Sequence, residues 1–281
     1  MIDDKTFRDE LFLARFGLLP READRDLRLD EPVARMIGRR VCRHYGRERL
    51  SDGLLETLLA AAQSAPAKSD LQQYAIIVTD KDQQAKIAAL IPSMPWIADA
   101  SHLLVFCADM RRGQRIAELR GKPHVNNTLD TFMNGAVDAA CAMMAFIMAA
   151  DFKGLGTCPI SAVRAVIGEV SEMLGLPDGV FPVAGLTVGY PTDDGKFSLR
   201  LPPSVVVHHG RYDDSALETE LQAYDARRNK VQPVAPAKQM HKDDFGVSDD
   251  YGWTENTARR LAKRERADFG DFVRGHGFDL E

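Results

Sequence analysis

The sequence predicts an α+β fold, in which helices pack in layers around a small sheet. Segments with helical spacing are mixed with only a few short, apolar, β-rich runs. No repeat with a period of roughly 20–50 residues is visible. Hydrophobic residues make up 45% and charged residues 27% of the 281 residues, as in globular proteins. These observations disfavour a solenoid, a propeller, a disordered chain and a fibrous chain.

The first half of the chain contains two predicted helices and two predicted strands. Ser51 precedes leucines and alanines at helical spacing, so we expect it to cap a helix that ends before Pro66. The apolar runs at 74–79 and 103–107 are typical of core strands, and the segment DQQAKIAALI between them is typical of a helix.

The second half contains the longest apolar run, from about Gly135 to Ala150. This run is shorter than the roughly 20 residues that span a bilayer, and it contains Asp138, so we expect a buried core or interface helix. A second amphipathic helix should end with Gly175 at its C′ position. The segments PVAGLTVG and SVVVH are predicted to be two further strands.

The two ends of the chain differ in composition from its centre. Residues 1–32, rich in alternating Arg and Asp, are predicted to form a charged surface extension, and residues 33–281 a single domain. Within that domain a stiff, proline-containing arm begins at about residue 231, and a basic helix capped by Thr254 follows. An arm that ends in a helix suggests docking on a second subunit.

Charge and cysteine usage limit the partners and the compartment. Lys and Arg number 36 against 41 Asp and Glu, and a net charge of −5 provides no general field for nucleic acid or an anionic membrane. Four scattered cysteines and an N-terminus without the apolar core of a signal peptide predict reduced thiols in a cytoplasmic protein. Because no HxH or HExxH pattern occurs, we predict no metal site.

Three segments have both a structural and a ligand-binding interpretation. The cluster of Arg39, Arg40 and Arg43 is either a solvated face or a phosphate clamp, since guanidinium groups match phosphate oxygens bidentately. Residues 64–72, SAPAKSDLQ, form either a polar connection or a loop whose amides and Gln72 approach a planar polar ligand. Arg200 is either a turn anchor or a further phosphate ligand.

The glycine-rich segment that begins at Gly154 leads into a helix, so its amides could face a ligand. It lacks the third glycine of GxGxxG, and no strand clearly precedes it, which argues against a dinucleotide-binding Rossmann site. Cys158 is either a nucleophile or a packed thiol. The packed thiol is favoured because no histidine is near in sequence.

Together, these motifs resemble the FMN-dependent nitroreductase family, most closely its group A branch of oxygen-insensitive NADPH nitroreductases and NADPH–flavin oxidoreductases. The resemblance covers about residues 33–281 and rests on RRVCRHY, SAPAKSDLQQYAIIVTD, MAADFKGLGTCPISAVR, LPDGVFPVAGLTVGYP and SLRLPPSVVVHHGRY. It implies a nitroreductase-like α+β fold with a central, mostly antiparallel sheet flanked by helices. It also implies an intertwined homodimer that binds FMN at the subunit interface.

The resemblance also implies roles for individual residues. It places Arg39, Arg43 and Arg200, and less directly Arg40, at the FMN phosphate and ribityl region. It places Lys68, Ser69 and Gln72 in a polar loop along the flavin, and the backbone of Pro159, Ile160, Ser161 and Ala162 at the ring edge near N5. Residues 224–230 resemble a mobile loop in which Arg227, with Arg228 as its neighbour, contacts the NADPH 2′-phosphate. The alternative there is a solvated helix end.

The chain departs from the family pattern at four places. It has Val41 where the family often has Ser, Asp70 near an expected Asn or Ser, Ser161-Ala162 for a glycine pair, and Ser198-Leu199 for Lys-Pro. The last change removes one cation from the phosphate site, for which Arg39 could compensate. An ionised Asp70 close to the flavin would disfavour an anionic reduced ring.

The implied activity is hydride transfer from NADPH, or less well NADH, to FMN and then to a nitroaromatic, a quinone or a flavin in ping-pong order. The flavin carries this chemistry, so we expect no catalytic side chain. Two alternatives stay open. One is a reductase or dehalogenase specialised for one metabolite on the same fold, and the other is a non-catalytic flavin-binding dimer.

Overall fold

The computed structural model describes residues 4–20 and 29–280, which fall into two compact units. The smaller unit combines the N-terminal residues up to Arg39 with Phe197–Glu265. The larger unit combines Arg40–Lys196 with the C-terminal residues from Arg266 onward. Residues 21–28, which hold most of the predicted Arg- and Asp-rich run, lie outside the described residues.

A four-stranded antiparallel sheet forms the centre of the larger unit. Its strands are β1 (Tyr74–Val78), β2 (His102–Asp109), β3 (Gly156–Ile160) and β4 (Val180–Gly189), in the spatial order β1-β2-β4-β3. All neighbouring strands are antiparallel. All of β2 is buried, which explains the unbroken apolar run at residues 103–108 within it. The predicted α+β class and antiparallel sheet are confirmed.

Helices cover both faces of this sheet. On one face, α3 (Asp52–Gln63) and α7 (Leu129–Phe152) pack around Phe106 and Leu186. On the other, α4 (Lys81–Leu90), α5 (Trp96–Asp99) and α8 (Ile167–Met173) pack around Leu103. The unit also contains α6 (Arg111–Leu119) and α13 (Phe269–Gly275). Phe106 and Leu103 face opposite layers because side chains alternate along a strand.

The local signals for helix ends are confirmed at two places. The Ser51 hydroxyl accepts a hydrogen bond from the amide of Leu54 at 3.4 Å, at the start of α3. Gly175 follows α8 with φ of +61°, a left-handed conformation that glycine adopts without steric cost.

Helix α7 has 24 residues, and by length and composition it is the one described helix that could cross a membrane. One of its faces instead packs in the core of the larger unit, where Ala142 and Phe146 are fully buried. Asp138 on the same helix is 2% exposed and hydrogen-bonded to the protein backbone. The expectation of a buried core helix therefore holds for this face.

The smaller unit is helical. Its helices are α1 (Asp4–Phe16), α2 (Glu31–Gly38), α9 (Pro203–Val206), α10 (Leu217–Val231), α11 (Lys242–Phe245) and α12 (Trp253–Leu261). Helix α1 packs against α2, and two of its arginines, Arg8 and Arg15, are buried. The N-terminal segment is therefore packed into a folded unit and is not only a charged surface.

Several local predictions are wrong. The segment SVVVH is not a strand, because Pro203 begins the short helix α9 there. The residues after Val231 include a 3₁₀ turn at Pro236–Lys238 in place of a fully extended arm. Helix α12 begins one residue before Thr254, which does not cap it. Asp225 on α10 caps the helix instead, because its carboxylate accepts a hydrogen bond from the backbone amide of Trp253 at 2.7 Å.

Candidate functional site

Residues 42–45, within the segment RRVCRHY, lie along the sheet of the larger unit. The Cys42 amide donates to the carbonyl of Thr157 on β3 at 2.9 Å. The Tyr45 hydroxyl lies 2.8 Å from both the Cys42 carbonyl and the Thr187 hydroxyl. A Cβ atom at Gly156 would lie 2.4 Å from Cys42 Cβ, so this close approach requires glycine. These contacts fix the backbone that carries Arg40 and Arg43.

The side chains of the three clustered arginines make different contacts. Arg40 donates to the carbonyl of Asp194 at 2.8 Å. The Arg43 guanidinium lies 5.0 Å from the ring centroid of Trp96, a cation–π distance. Arg39 is the last residue of the smaller unit's first segment and lines a cavity there. The cluster is therefore not a uniform solvated face.

The cavity beside Arg39 has a volume of about 340 Å³ and lies within the smaller unit. It is lined by Arg15, Phe16, Met36, Ile37, Arg39 and Arg200. Two residues predicted from distant parts of the sequence to bind one phosphate, Arg39 and Arg200, thus meet in one cavity. Arg15 was not predicted. Three guanidinium groups around one space suit an anion that accepts several hydrogen bonds.

The predicted polar loop of the larger unit has an unusual backbone. Ser69, Asp70 and Gln72 have φ angles of 50°, 57° and 52°, in the left-handed region that side chains rarely adopt. Each such residue costs of order 1–3 kcal/mol and persists only where surrounding contacts hold it, commonly at ligand sites. Lys68, Ser69 and Gln72 are all exposed at the surface of the unit.

The contacts that hold this loop come from Asp138 on α7. Its two carboxylate oxygens accept hydrogen bonds from the backbone amides of Lys68, at 2.9 Å, and Gln73, at 3.0 Å. These two amides lie at the two ends of the loop. Arg112 adds a hydrogen bond to the Gln72 carbonyl at 2.7 Å. A buried carboxylate is costly unless it is hydrogen-bonded in this way. The sequence signal for this role was the single charge within the apolar run.

A second cavity, of about 670 Å³, lies next to the loop within the larger unit. Its lining includes Asp70, Gln72, Tyr74, Ile76 and Arg112. The Gln72 side-chain amide donates to the Asp70 carboxylate at 3.1 Å, so these two polar groups orient each other at the cavity edge. This mixture of apolar and polar groups is typical of small-molecule sites.

Residues 159–162 lie where β3 ends and the 3₁₀ helix Ser161–Val166 begins. The glycine-rich segment was not recognised as a strand, because glycine and proline are depleted in strands. The Ser161 hydroxyl accepts a hydrogen bond from Arg266 at 3.3 Å. Arg164 donates to the Val183 carbonyl. Burial, followed by the nearby Arg266, lowers the pKa of Arg164. Neither arginine was predicted.

Residues 224–230 form part of α10, so the expected mobile loop is a helix. Arg227 packs against Gly17. A Cβ atom added at Gly17 would lie 3.3 Å from Arg227 Cδ. The Nε and Nη2 atoms of Arg227 and the Nη1 atom of Arg228 are buried and find no hydrogen-bond acceptor among the described residues. Buried guanidinium nitrogens normally have acceptors, so these three atoms are exceptions within the described structure.

Three of the four cysteines are packed thiols. Cys42, Cys107 and Cys158 are buried, and all four cysteines are free of disulfides. Burial raises the pKa of the Cys42 thiol and raises that of Cys107 to about 12, so both stay protonated and weakly reactive. Within the part of the chain that the structure describes, no three His, Cys, Asp or Glu residues are grouped to hold a metal ion.

Family models match most of the chain. A model described as the nitroreductase family matches residues 36–190, and one described as the nitroreductase family, C-terminal domain, matches residues 198–281. The chain belongs to the nitroreductase family. This confirms the resemblance that the motifs indicated, and residues 1–35 precede the part that the models match.

Individual relatives in the nitroreductase family cover nearly the whole chain. FMN reductase (NAD(P)H) of Bacillus subtilis is 32% identical over 90% of this chain and 100% of its own length. Oxygen-insensitive NADPH nitroreductase of Salmonella typhimurium is 30% identical over 86% of this chain and 96% of its own length. The solved structure of B. megaterium NfrA2 superposes with a TM-score of 0.81 at 32% identity, over 90% of this chain and 100% of that one.

Proposed function

We propose that the protein is an FMN-dependent oxidoreductase that takes hydride from NADPH, and less well from NADH, and reduces a small aromatic acceptor. One observation carries the proposal: relatives named FMN reductase and NADPH nitroreductase match almost end to end. The acceptors it would take are nitroaromatics, quinones or free flavin. The pyridine nucleotide and the acceptor would use the same site in turn, in ping-pong order.

The residues present fit the phosphate of FMN. Arg39 and Arg200 line one cavity together with Arg15, and guanidinium groups pair with phosphate oxygens through two parallel hydrogen bonds. We assign the phosphate and ribityl region of FMN chiefly to Arg39, Arg43 and Arg200, and less directly to Arg40. The contacts of Arg40 with Asp194 and of Arg43 with Trp96 hold those two side chains in defined positions.

The residues present also fit a planar ring with polar edges. We assign the loop residues Lys68, Ser69 and Gln72 to the flavin, since Asp138 holds this loop, its backbone is strained at Ser69 and Gln72, and Gln72 lines the cavity. The backbone of Pro159, Ile160, Ser161 and Ala162 is assigned to the ring edge. A rigid strand end followed by a tight turn presents backbone groups at fixed positions, which suits that role.

FMN, when bound, supplies the hydride-transfer chemistry. The side chains of this protein bind the phosphate, orient the ring and shape the acceptor site, and none of them is assigned as a catalytic residue. Asp70 is a negative group at the edge of the loop cavity, oriented by Gln72. The negative charge of Asp70 would repel a negatively charged group on a nearby ligand. Asp70 would therefore influence which acceptors bind.

For the preference for NADPH over NADH we assign Arg227 and Arg228 to the 2′-phosphate. Their buried nitrogen atoms without acceptors in the described structure support this role, although the segment is helical. A phosphate that accepts one or two such charged hydrogen bonds gains about 1.5–3 kcal/mol for each. That is enough for roughly a tenfold preference over NADH.

We further propose that the chain forms a homodimer in the cytoplasm, with residues 33–281 as its catalytic domain. An exposed apolar stripe on α7 supports the dimer. Its side chains are between 42% and 56% exposed, and they are Leu129, Met133, Val137, Met144 and Phe152. Exposed apolar stripes of this length mark interaction surfaces. Free cysteines support a reducing compartment.

A two-substrate rate analysis tests the proposed activity. Protein loaded with FMN is assayed at several NADPH concentrations against a nitroaromatic, a quinone and free FMN in turn. We expect acceptor-dependent NADPH oxidation and parallel double-reciprocal lines. Intersecting lines would contradict the ping-pong order, and NADPH oxidation that no acceptor accelerates would contradict the proposed function.

A further inference from the structure

We infer that Arg15, on the N-terminal helix α1, is a positioning residue that holds Arg39 and Arg200 in place for the phosphate of FMN. The inference rests on the proposed function, and it names a residue outside the ranges that the family models match. It gives the N-terminal extension a part in cofactor binding, through the smaller unit's arginine-lined cavity.

The hydrogen bonds of Arg15 connect two distant parts of the chain. Its Nε atom donates to the carbonyl of Ile37 at 2.9 Å, and its Nη2 atom donates to the carbonyl of Arg39. Its Nη1 atom donates to the carbonyl of Ser198 at 3.0 Å. One guanidinium group therefore holds the backbone that carries Arg39 and the backbone two residues before Arg200.

The backbone of Arg15 completes this connection. Its carbonyl accepts a hydrogen bond from the backbone amide of Arg200 at 2.8 Å. Arg15 is therefore hydrogen-bonded to the main chains of both cavity arginines. The guanidinium also lies 5.1 Å from the ring centroid of Phe197, which restricts its orientation. At 8% exposure the whole side chain is buried. Arg15 thus contacts the main chains of both Arg39 and Arg200.

Only arginine can make this set of bonds. The guanidinium is planar and carries five N–H donors in a fixed fork, whereas the lysine ammonium is a compact group at the end of a flexible stem. The three carbonyl acceptors of Arg15, which lie in two segments of the chain, require donors in different directions. A lysine at this position would keep the positive charge but would lose most of the bridging.

The charge of Arg15 also contributes to the cavity. Arg15 places a cation against the Ser198 carbonyl in the same cavity lining. The anion that the cavity suits is a phosphate monoester, since the guanidinium groups of Arg39 and Arg200 can pair with its terminal oxygens.

A comparison of FMN with riboflavin tests the inference, because these ligands differ only in the phosphate. The affinities of the full-length protein for both are measured by fluorescence titration, in wild type, Arg15→Lys and Arg15→Ala. Arg211→Ala, which removes an exposed arginine of the same unit, is the matched control. Thermal unfolding of each variant is recorded in the same buffer.

We expect the preference of wild type for FMN over riboflavin to fall about tenfold or more in Arg15→Ala, with less effect on riboflavin itself. In Arg15→Lys, which keeps the charge and the stem, the preference should fall severalfold although the protein folds. Arg211→Ala should keep the wild-type preference.

Two results would overturn the inference. One is an unchanged preference for FMN over riboflavin in Arg15→Lys, and the other is an equal loss of both affinities in Arg15→Lys, which would indicate a role in folding alone. Arg15→Lys decides the matter even when Arg15→Ala does not fold. Failure of the proposed function gives a different result, because the wild-type protein would then not bind FMN.

Discussion

Asp138 shows how one buried residue determines the shape of the candidate site. It is 2% exposed, lies on the core helix α7, and accepts the amides at both ends of the strained loop. The strain of Ser69, Asp70 and Gln72 is offset by these charged hydrogen bonds, each of which contributes roughly 1.5–3 kcal/mol. The loop conformation is therefore set from inside the core.

Replacing Asp138 by Asn tests this dependence. The amide has one acceptor oxygen, and its NH₂ group would face a backbone N–H donor, so one loop end loses its partner. We expect the free energy of unfolding, measured in urea, to fall by about 1–3 kcal/mol, and FMN binding to weaken. Asp130→Asn, an exposed change at the start of the same helix, should alter neither. Unchanged FMN binding in a folded Asp138→Asn protein would contradict the role of the loop.

Arg227 carries the prediction for donor specificity. Replacing it by alanine removes buried charged donors that lack acceptors in the described structure. We expect the KM for NADPH to rise about tenfold, with NADH kinetics nearly unchanged, because only NADPH carries the 2′-phosphate. Arg211→Ala, which removes an exposed arginine of the same unit outside this segment, is the control. Equal losses with both donors would show that Arg227 serves folding or flavin binding instead.

At the scale of elements, the site depends on a close approach between β3 and the segment RRVCRHY. An alanine at position 156 would place its Cβ 2.4 Å from Cys42 Cβ. We expect Gly156→Ala to lower the free energy of unfolding by about 1–3 kcal/mol, as overpacking of a core does, and to weaken FMN binding. Gly168→Ala, where an added Cβ meets nothing within 4 Å, should not destabilise the protein. Wild-type stability of Gly156→Ala would contradict this close packing.

Most elements could be predicted from the sequence because their signals are local. Ser51 caps its helix, Gly175 ends another, and the apolar runs at 74–79 and 103–107 mark the two strands β1 and β2. The failures have local causes too. The β-branched run after Pro203 predicted a strand, but a proline in the first turn favours a helix.

The parts of the site that escaped prediction depend on tertiary contacts. Arg39 and Arg200 could be named from motifs, and the structure places both at one cavity. The roles of Asp138 and Arg15 could not be named, because each is defined by backbone partners far away in sequence. The sequence shows a buried charge only as an irregularity in an apolar pattern, and it does not show the acceptor or donor that the charge meets.

At the scale of the whole molecule, α7 has two apolar faces with different roles. One face lies in the core, and Ala142 on it is fully buried, so a charge there would disrupt folding before assembly. The other face carries the exposed stripe that includes Met133 and Val137. Dimerisation must therefore be tested on the exposed face.

We expect Val137→Glu to shift the protein from dimer to monomer and to weaken FMN binding, because a charge in an apolar contact is not compensated. Light scattering after size-exclusion chromatography measures the mass directly. Val137→Leu keeps the surface apolar and should remain a dimer. A Val137→Glu protein that stays dimeric and binds FMN would place the subunit contact elsewhere.

The proposed function requires that NADPH reduces FMN bound to this protein. The most direct measurement is anaerobic mixing of the FMN-loaded protein with NADPH or NADH in a stopped-flow spectrophotometer, followed at the visible flavin absorption band. We expect NADPH to bleach the band faster than NADH, and a nitroaromatic to restore it when added afterwards. A protein that holds FMN but is bleached by neither nucleotide would contradict the claim.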